Sequence, residues 1–244
     1  MNRLNNKRAL VTGGSSGIGL ETARQFLAEG ARVAITGSTA ETLAAAKAEL
    51  GDVVTILADA GDVAAQARIA EAVREAFGGL DVLFVNAGVG DFRSLEQWDE
   101  AGFDRSFAIN LKGPFFLVQA LLPILANPAS IVFNTSINAH IGMPNSSVYA
   151  ATKAGLISLV RTLSGELLGC GIRVNAVSPG PVATPLHGKI GMDAAAVKAL
   201  ESQVPLGRRG APSEIASAVV FLASDESAFT VGSEFIIDGG MSTL

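Results

Sequence analysis

The chain is 244 residues long, 49% hydrophobic, only 6% aromatic and 17% charged, which suits one large α/β domain or two small ones built on aliphatic strands covered on both faces. A net charge of −5 with no basic block excludes nucleic acid and anionic membrane as the main partner. The single cysteine, Cys170, excludes an intrachain disulfide and fits a reducing, cytoplasmic setting, while the low charge and a mean hydropathy of +0.40 point to surface buried between subunits.

Residues 1–8 are polar and lack a signal-peptide pattern. Residues 9–11 read as a short apolar strand that ends in a Gly-rich turn. Residues 18–28 carry helical periodicity, closed by Gly30. Residues 33–35 are strand-like, and 41–50 are helical, closed by Gly51. A strand at 53–57, a helix at 63–77 closed by Gly78-Gly79, and a strand at 82–85 follow. A long helical region covers about 103–125, with no apolar run reaching the ~18 residues of a membrane span. Residues 131–134 form a strand, 148–168 a helix, 174–177 a strand, 194–202 and 213–222 helices, and 234–237 a last strand. Alternating strand and helix means parallel βαβ units with right-handed crossovers. The expected fold is therefore α/β, a doubly wound Rossmann-type parallel sheet of about seven strands with helices on both faces. Such sheets bind ligands at the carboxyl ends of their strands, and the motifs below all fall just after predicted strands, on that edge.

Between the first strand and first helix runs Val11-Thr12-Gly13-Gly14-Ser15-Ser16-Gly17-Ile18-Gly19. A pyrophosphate needs close backbone approach and the N–H groups of a helix N-terminus. Gly13, Gly17 and Gly19 suit the tight turn, that approach and close helix packing, and the strand-turn-helix context favours a nucleotide site over an ordinary Gly-rich turn. Thr12-Gly13-x-x-x-Gly17-x-Gly19, Asn86-Ala87-Gly88 after the fourth strand and Tyr149-x-x-x-Lys153 together resemble the short-chain dehydrogenase/reductase family in its compact form. The likeness runs from residue 12 to Asp238-Gly239-Gly240, with one small departure at Phe84-Val85, where another Asn is commoner. It implies that residues 1–244 form one dinucleotide-binding and catalytic domain moving hydride between a nicotinamide cofactor and a carbonyl/alcohol pair.

Tyr149 and Lys153 are four apart, so on a helix they share one face. A phenol titrates near pH 10, and an adjacent ammonium is expected to lower that value. Tyr149 is also the chain's only tyrosine. A lone Tyr-x-x-x-Lys is common on exposed helices, but here Ser136 ends the fifth strand, where its hydroxyl would hold the substrate oxygen. The resemblance assigns Ser136, Tyr149 and Lys153 to the catalytic set and adds Asn110, which would kink its helix and hold a water. From the residue alone, Asn110 equally fits a satisfied polar side chain. The resemblance further implies that Lys153 and Tyr149 contact the nicotinamide ribose, that Pro179, Gly180, Val182 and Thr184 hold the carboxamide, and that Asp59 with Ala60 meets the adenine. Asp59 by itself also reads as a surface-turn carboxylate. Ser15, Ser16 and Ile18 complete the phosphate turn, beside Asn86, Ala87 and Gly88. His140 and His187 are isolated, and with one cysteine no metal site is expected.

An NAD site usually carries an acid about 20 residues past the turn, for the ribose hydroxyl. Gly37-Ser38-Thr39 stand there instead, with no acid to repel a 2′-phosphate and no Arg to clamp one. That favours NADP(H) over NAD(H), with Ser38 and Thr39 as hydroxyl donors, although Ser38 with Glu41 also reads as a capping box. Val89, Ile137, Asn138, Met143, Ser146 and the stretch from Leu186 to residue 192 are expected to line the substrate pocket beside Ser136 and Tyr149, under a lid at about 184–210 in which Gly188 and Gly191 permit motion. This inventory favours a neutral, hydrophobic ketone or secondary alcohol. A 3-oxoacyl-carrier-protein reductase ranks second, since Cys170 replaces a usual Arg and residues 123–130 lack basic side chains; a sugar or polyol dehydrogenase ranks third. Outside enzymes, a cofactor-binding regulator is the alternative. The resemblance also implies a homotetramer.

Overall fold

The computed structural model describes residues 2–185 and 193–244. The strands are β1 (Arg8–Val11), β2 (Arg32–Gly37), β3 (Val53–Leu57), β4 (Leu80–Val85), β5 (Leu125–Asn134), β6 (Ile172–Pro179) and β7 (Glu234–Ile237). The main helices are α1 (Gly17–Ala28), α2 (Ala40–Leu50), α3 (Val63–Phe77), α4 (Glu100–Phe107), α5 (Gly113–Leu121), α6 (Ser147–Leu168), α7 (Ala194–Ser202) and α8 (Pro212–Ala223). The sheet order is β3-β2-β1-β4-β5-β6-β7, with every pair parallel, as the alternation requires.

Successive strand side chains point to opposite faces, which splits the aliphatic runs into two cores. Val11, Ile35, Phe84 and Val132 pack with Phe26 of α1 and Val219 of α8 on one face. Leu10, Leu83, Ile131 and Phe133 pack with Ile69, Leu121 and Val160 of α3, α5 and α6 on the other. Both faces are thus mainly apolar, with buried Ser130, Asn175 and Ser178 as polar exceptions in β5 and β6.

Three local expectations change. Thr39, not Ser38, caps α2, its hydroxyl accepting the Thr42 N–H, so the Ser38/Glu41 box does not form. The helix expected at 103–125 is not continuous. It starts at Glu100 behind an Asp99 cap, is broken by a π turn at Ala108–Lys112, and ends in one 3₁₀ turn at Leu122–Ile124. Leu125, expected to end the helix, already pairs with Leu80 as the start of β5. Pro123 contributes to the stop, since it offers no N–H to continue the helix. Close packing accompanies the π turn: a Cβ on Gly113 would lie 1.8 Å from the Ala60 carbonyl oxygen, so the helix crosses that loop in direct contact. By length and composition, Glu100–Ile124 is apolar enough to span a bilayer, contrary to the sequence expectation, yet it is packed against α3 and α6.

Candidate functional site

The strand order reverses between β1 and β4, and the crevice at their carboxyl ends is where such sheets take a ligand. Thr12 organises this crevice. Its hydroxyl accepts the N–H groups of Asn86 (2.9 Å) and Ala87 (3.0 Å), and the Asn86 amide donates back to the Thr12 carbonyl (2.9 Å). The Asn86 Oδ1 in turn accepts from the Asn134 amide at 2.9 Å, which ties together the ends of β1, β4 and β5. Gly14 N donates to the Thr36 carbonyl and Gly13 N to the Thr36 hydroxyl, fixing the turn against β2.

The start of α1 is built for an anion. Ser16 is its N-cap but makes no side-chain cap hydrogen bond, and the first turn carries no acid. The helix dipole and its first N–H groups are therefore unopposed by any side chain of the turn. Gly19 is obligatory for close packing, since a Cβ there would lie 2.3 Å from the Gly13 carbonyl oxygen. Thr184 reaches across from the Pro179–Thr184 loop, its Cγ2 3.3 Å from where a Gly17 Cβ would sit. That loop is held by Gly180 N to the Ile237 carbonyl, and by Val182 bridging Gly210. A cleft lined by Thr12, Thr36, Ala58, Ala60, Val85 and Ala87 continues from the turn. At the end of β2, Gly37 is buried with Ser15 Oγ close by, while Ser38 and Thr39 are exposed. Asp59 is exposed; burial alone would raise its carboxyl, but the Gly61 N–H (2.8 Å) and the Arg105 guanidinium (2.9 Å) hold it below the ordinary value. An uncapped helix start, a glycine-lined approach and an adjoining cleft fit a dinucleotide.

The four residues expected to react come from β5, the π turn and α6. Ser136 follows β5, and its hydroxyl lies close enough to the Tyr149 phenol to favour its ionised form. Lys153 lies one turn further along α6, is 4% exposed, and donates to the Asn134 carbonyl at 2.7 Å. Its Nζ is 5.6 Å from the Tyr149 ring centre. Asn110 is buried in the π turn; its Oδ1 accepts Val89 N (2.8 Å) while its Nδ2 donates to Val89 O (2.9 Å) and Thr152 Oγ1 (3.3 Å). It thereby stitches the loop after Gly88 to α6.

Electrostatics correct one expectation. In the protein alone, burial raises the Tyr149 phenol above its ordinary value, only partly opposed by the Ser136 hydrogen bond. The same burial lowers Lys153 to about 8. Desolvation penalises both charged forms, so the ammonium's expected lowering of the phenol does not prevail.

Asn138 and Met143 lie together beside Ser136: Asn138 N donates to Ser136 Oγ, and its amide is 3.5 Å from the Met143 sulfur. Ile137 is buried, and Ser146 is buried with its hydroxyl on the Met143 carbonyl. Leu186, His187 and the rest of 186–192 lie outside the described residues. Sequence reasoning missed Phe92, whose ring packs on Tyr149 with centroids 5.3 Å apart. Nothing local marks it, because the contact joins a loop to a distant helix. His140, read as isolated, is 2.6 Å from Glu234.

A family model described as "Enoyl-(Acyl carrier protein) reductase" matches residues 13–242. The 2-keto-3-deoxy-L-fuconate dehydrogenase of Xanthomonas campestris is 40% identical, over 98% of this chain and 81% of its own. The 3-oxoacyl-acyl-carrier-protein reductase FabG of Thermotoga maritima is 38% identical, over 98% of this chain and 99% of its own. Among solved structures, levodione reductase superposes with a TM-score of 0.92 at 35% identity, over 98% of both chains.

Proposed function

The chain belongs to the short-chain dehydrogenase/reductase family and is an oxidoreductase, and from that premise we propose that it transfers hydride between NADP(H) and a neutral, hydrophobic ketone or secondary alcohol. The observation that carries this reading is the convergence of Ser136, Tyr149 and Lys153 at the strand-end edge that Asn134 and Asn86 tie to the turn before the uncapped start of α1. Bound nicotinamide supplies or accepts the hydride. The Tyr149 hydroxyl gives its proton to the carbonyl oxygen during reduction and takes it back during oxidation. Ser136 holds the same oxygen and keeps the phenol aimed at it. Lys153, clamped on the Asn134 carbonyl and lowered to about 8, passes protons near neutral pH. Asn110 fixes the Gly88-Val89 loop that walls the site. Thr184, Val182 and the glycines of the turn would hold the nucleotide.

NADP(H) is favoured because β2 ends in Gly37, Ser38 and Thr39, which offer hydroxyls and no carboxylate to a 2′-phosphate. Phe92, packed on Tyr149, with Ile137 and Met143 near Ser136, favours a hydrophobic substrate. A homotetramer is proposed on the exposed side chains of Phe115, Leu122, Leu168, Phe229 and Ile236, which leave apolar surface for self-association.

The test is the initial rate of NADPH oxidation across aryl ketones, small aliphatic ketones, sugars and a ketoacyl thioester, with NADH in parallel and Tyr149→Phe as control. Turnover on hydrophobic ketones with NADPH, lost in the control, is the expected result. Preference for NADH would overturn the cofactor assignment alone. Tight nucleotide binding without turnover on any member would favour a cofactor-binding regulator.

A further inference from the structure

A chain of polar side chains crosses the sheet behind the site. Glu234, the first residue of β7, accepts from the Ser178 hydroxyl of β6 at 2.5 Å and lies 2.6 Å from His140 Nε2, both on the same carboxylate oxygen. Ser178 also meets the Thr135 hydroxyl, and Thr135 N donates to the Val177 carbonyl at 2.8 Å. Ser178 is fully buried and Thr135 nearly so, while the Glu234 side chain is only 14% exposed. Among the described residues, the only basic side chain against it is His140. A carboxylate this enclosed is costly unless its donors are fixed, and apolar residues would pack a sheet edge at least as well. The polar chain therefore calls for a reason other than fold stability.

Its two ends explain it. Thr135 immediately precedes Ser136, the N-cap of the 3₁₀ turn Ile137–Ala139, and His140 is the C-cap of that turn. The turn closes through Ala139 N to Ser136 O (3.1 Å), His140 N to Ile137 O (2.8 Å) and Asn138 N to Ser136 Oγ (3.2 Å). One carboxylate thus grips both ends of the short segment that carries the Ser136 hydroxyl.

We propose that Glu234, acting through His140 and through Ser178 and Thr135, is a positioning residue that holds Ser136 against Tyr149. The proposal rests on the reading of Ser136 and Tyr149 as the reacting pair, and brings into the site a residue two strands away from β5. Because Tyr149 is the only tyrosine, protein labelled with carbon-13 at tyrosine Cζ gives a single resonance that senses its hydrogen bond at neutral pH without substrate or nucleotide. Ser136→Ala sets the reference displacement of that resonance. Glu234→Ala and His140→Ala are expected to move it in the same direction and by a comparable amount. Glu234→Gln, which keeps an acceptor oxygen for both donors, is expected to stay near wild type. His140 is partly exposed, so its variant decides the matter if Glu234→Ala fails to fold. A resonance unmoved in the foldable Glu234→Ala or His140→Ala protein, or unmoved in Ser136→Ala itself, overturns the proposal. With a substrate in hand, Glu234→Ala should lower kcat by about tenfold or more while KM and nucleotide Kd stay within about twofold. Absence of oxidoreductase turnover with the resonances responding as expected would instead count against the functional reading alone.

Discussion

Lys153→Met is expected to stabilise the nucleotide-free protein while abolishing its activity. The lysine is 4% exposed and donates to a neutral carbonyl, that of Asn134, at 2.7 Å. Burial lowers its amine from 10.5 to about 8, which corresponds to roughly 3 kcal/mol against the charged form at neutral pH. Methionine keeps the apolar stem and removes the charge, but gives up one charge-assisted hydrogen bond, about 2 kcal/mol. That leaves a gain of about 1 kcal/mol, or a melting temperature higher by ~2–4 °C for a domain of this size. The pH dependence has a definite sign. The folded value lies below the unfolded one, so between about 8 and 10.5 the unfolded chain holds more protons and the wild type gains stability as pH rises. The advantage of Lys153→Met should therefore be full below pH ~8 and gone by ~10.5. Thermal melts of both proteins from pH 7 to 10 measure it, and other groups cancel in the difference. A variant that melts lower than wild type at neutral pH, or a difference flat across the range, would refute the reasoning. Loss of a proton-handling group should reduce turnover by at least ~100-fold.

Thr12→Val keeps the shape of the side chain but strands the Asn86 and Ala87 N–H groups, which should destabilise the protein by about 2–5 kcal/mol in thermal melts. A loss of under ~2 °C would show that Thr12 is not the hub described. Gly113→Ala would place a methyl 1.8 Å from the Ala60 carbonyl, so a fall of at least ~3 kcal/mol is expected from the urea midpoint. An unchanged midpoint would mean the helix crosses that loop more loosely. On the NADP(H) reading, Ser38→Asp places a carboxylate where the 2′-phosphate would lie and should shift the NADH/NADPH ratio of kcat/KM toward NADH by about tenfold or more. An unaltered ratio would put the phosphate elsewhere.

By itself the sequence determined the layered architecture, because aliphatic runs of strand length alternate with helical periodicity and glycine stops, and only parallel βαβ units satisfy that order. It also marked the glycines of the turn and the Tyr149/Lys153 pair, since their chemistry depends on spacing within one element. Contacts between elements were beyond it. Phe92 on Tyr149, Glu234 on His140 and Arg105 on Asp59 each join residues far apart in the chain, and no local pattern encodes such pairs. The π turn around Asn110 likewise goes with the close crossing of Gly113 over Ala60 and with the Val89 backbone, not with helical propensity. The balance at Tyr149 was decided the same way. Four-residue spacing brings an ammonium near the phenol, but only the packed structure sets how dry the site is, and desolvation in that packing raises the phenol and lowers the amine.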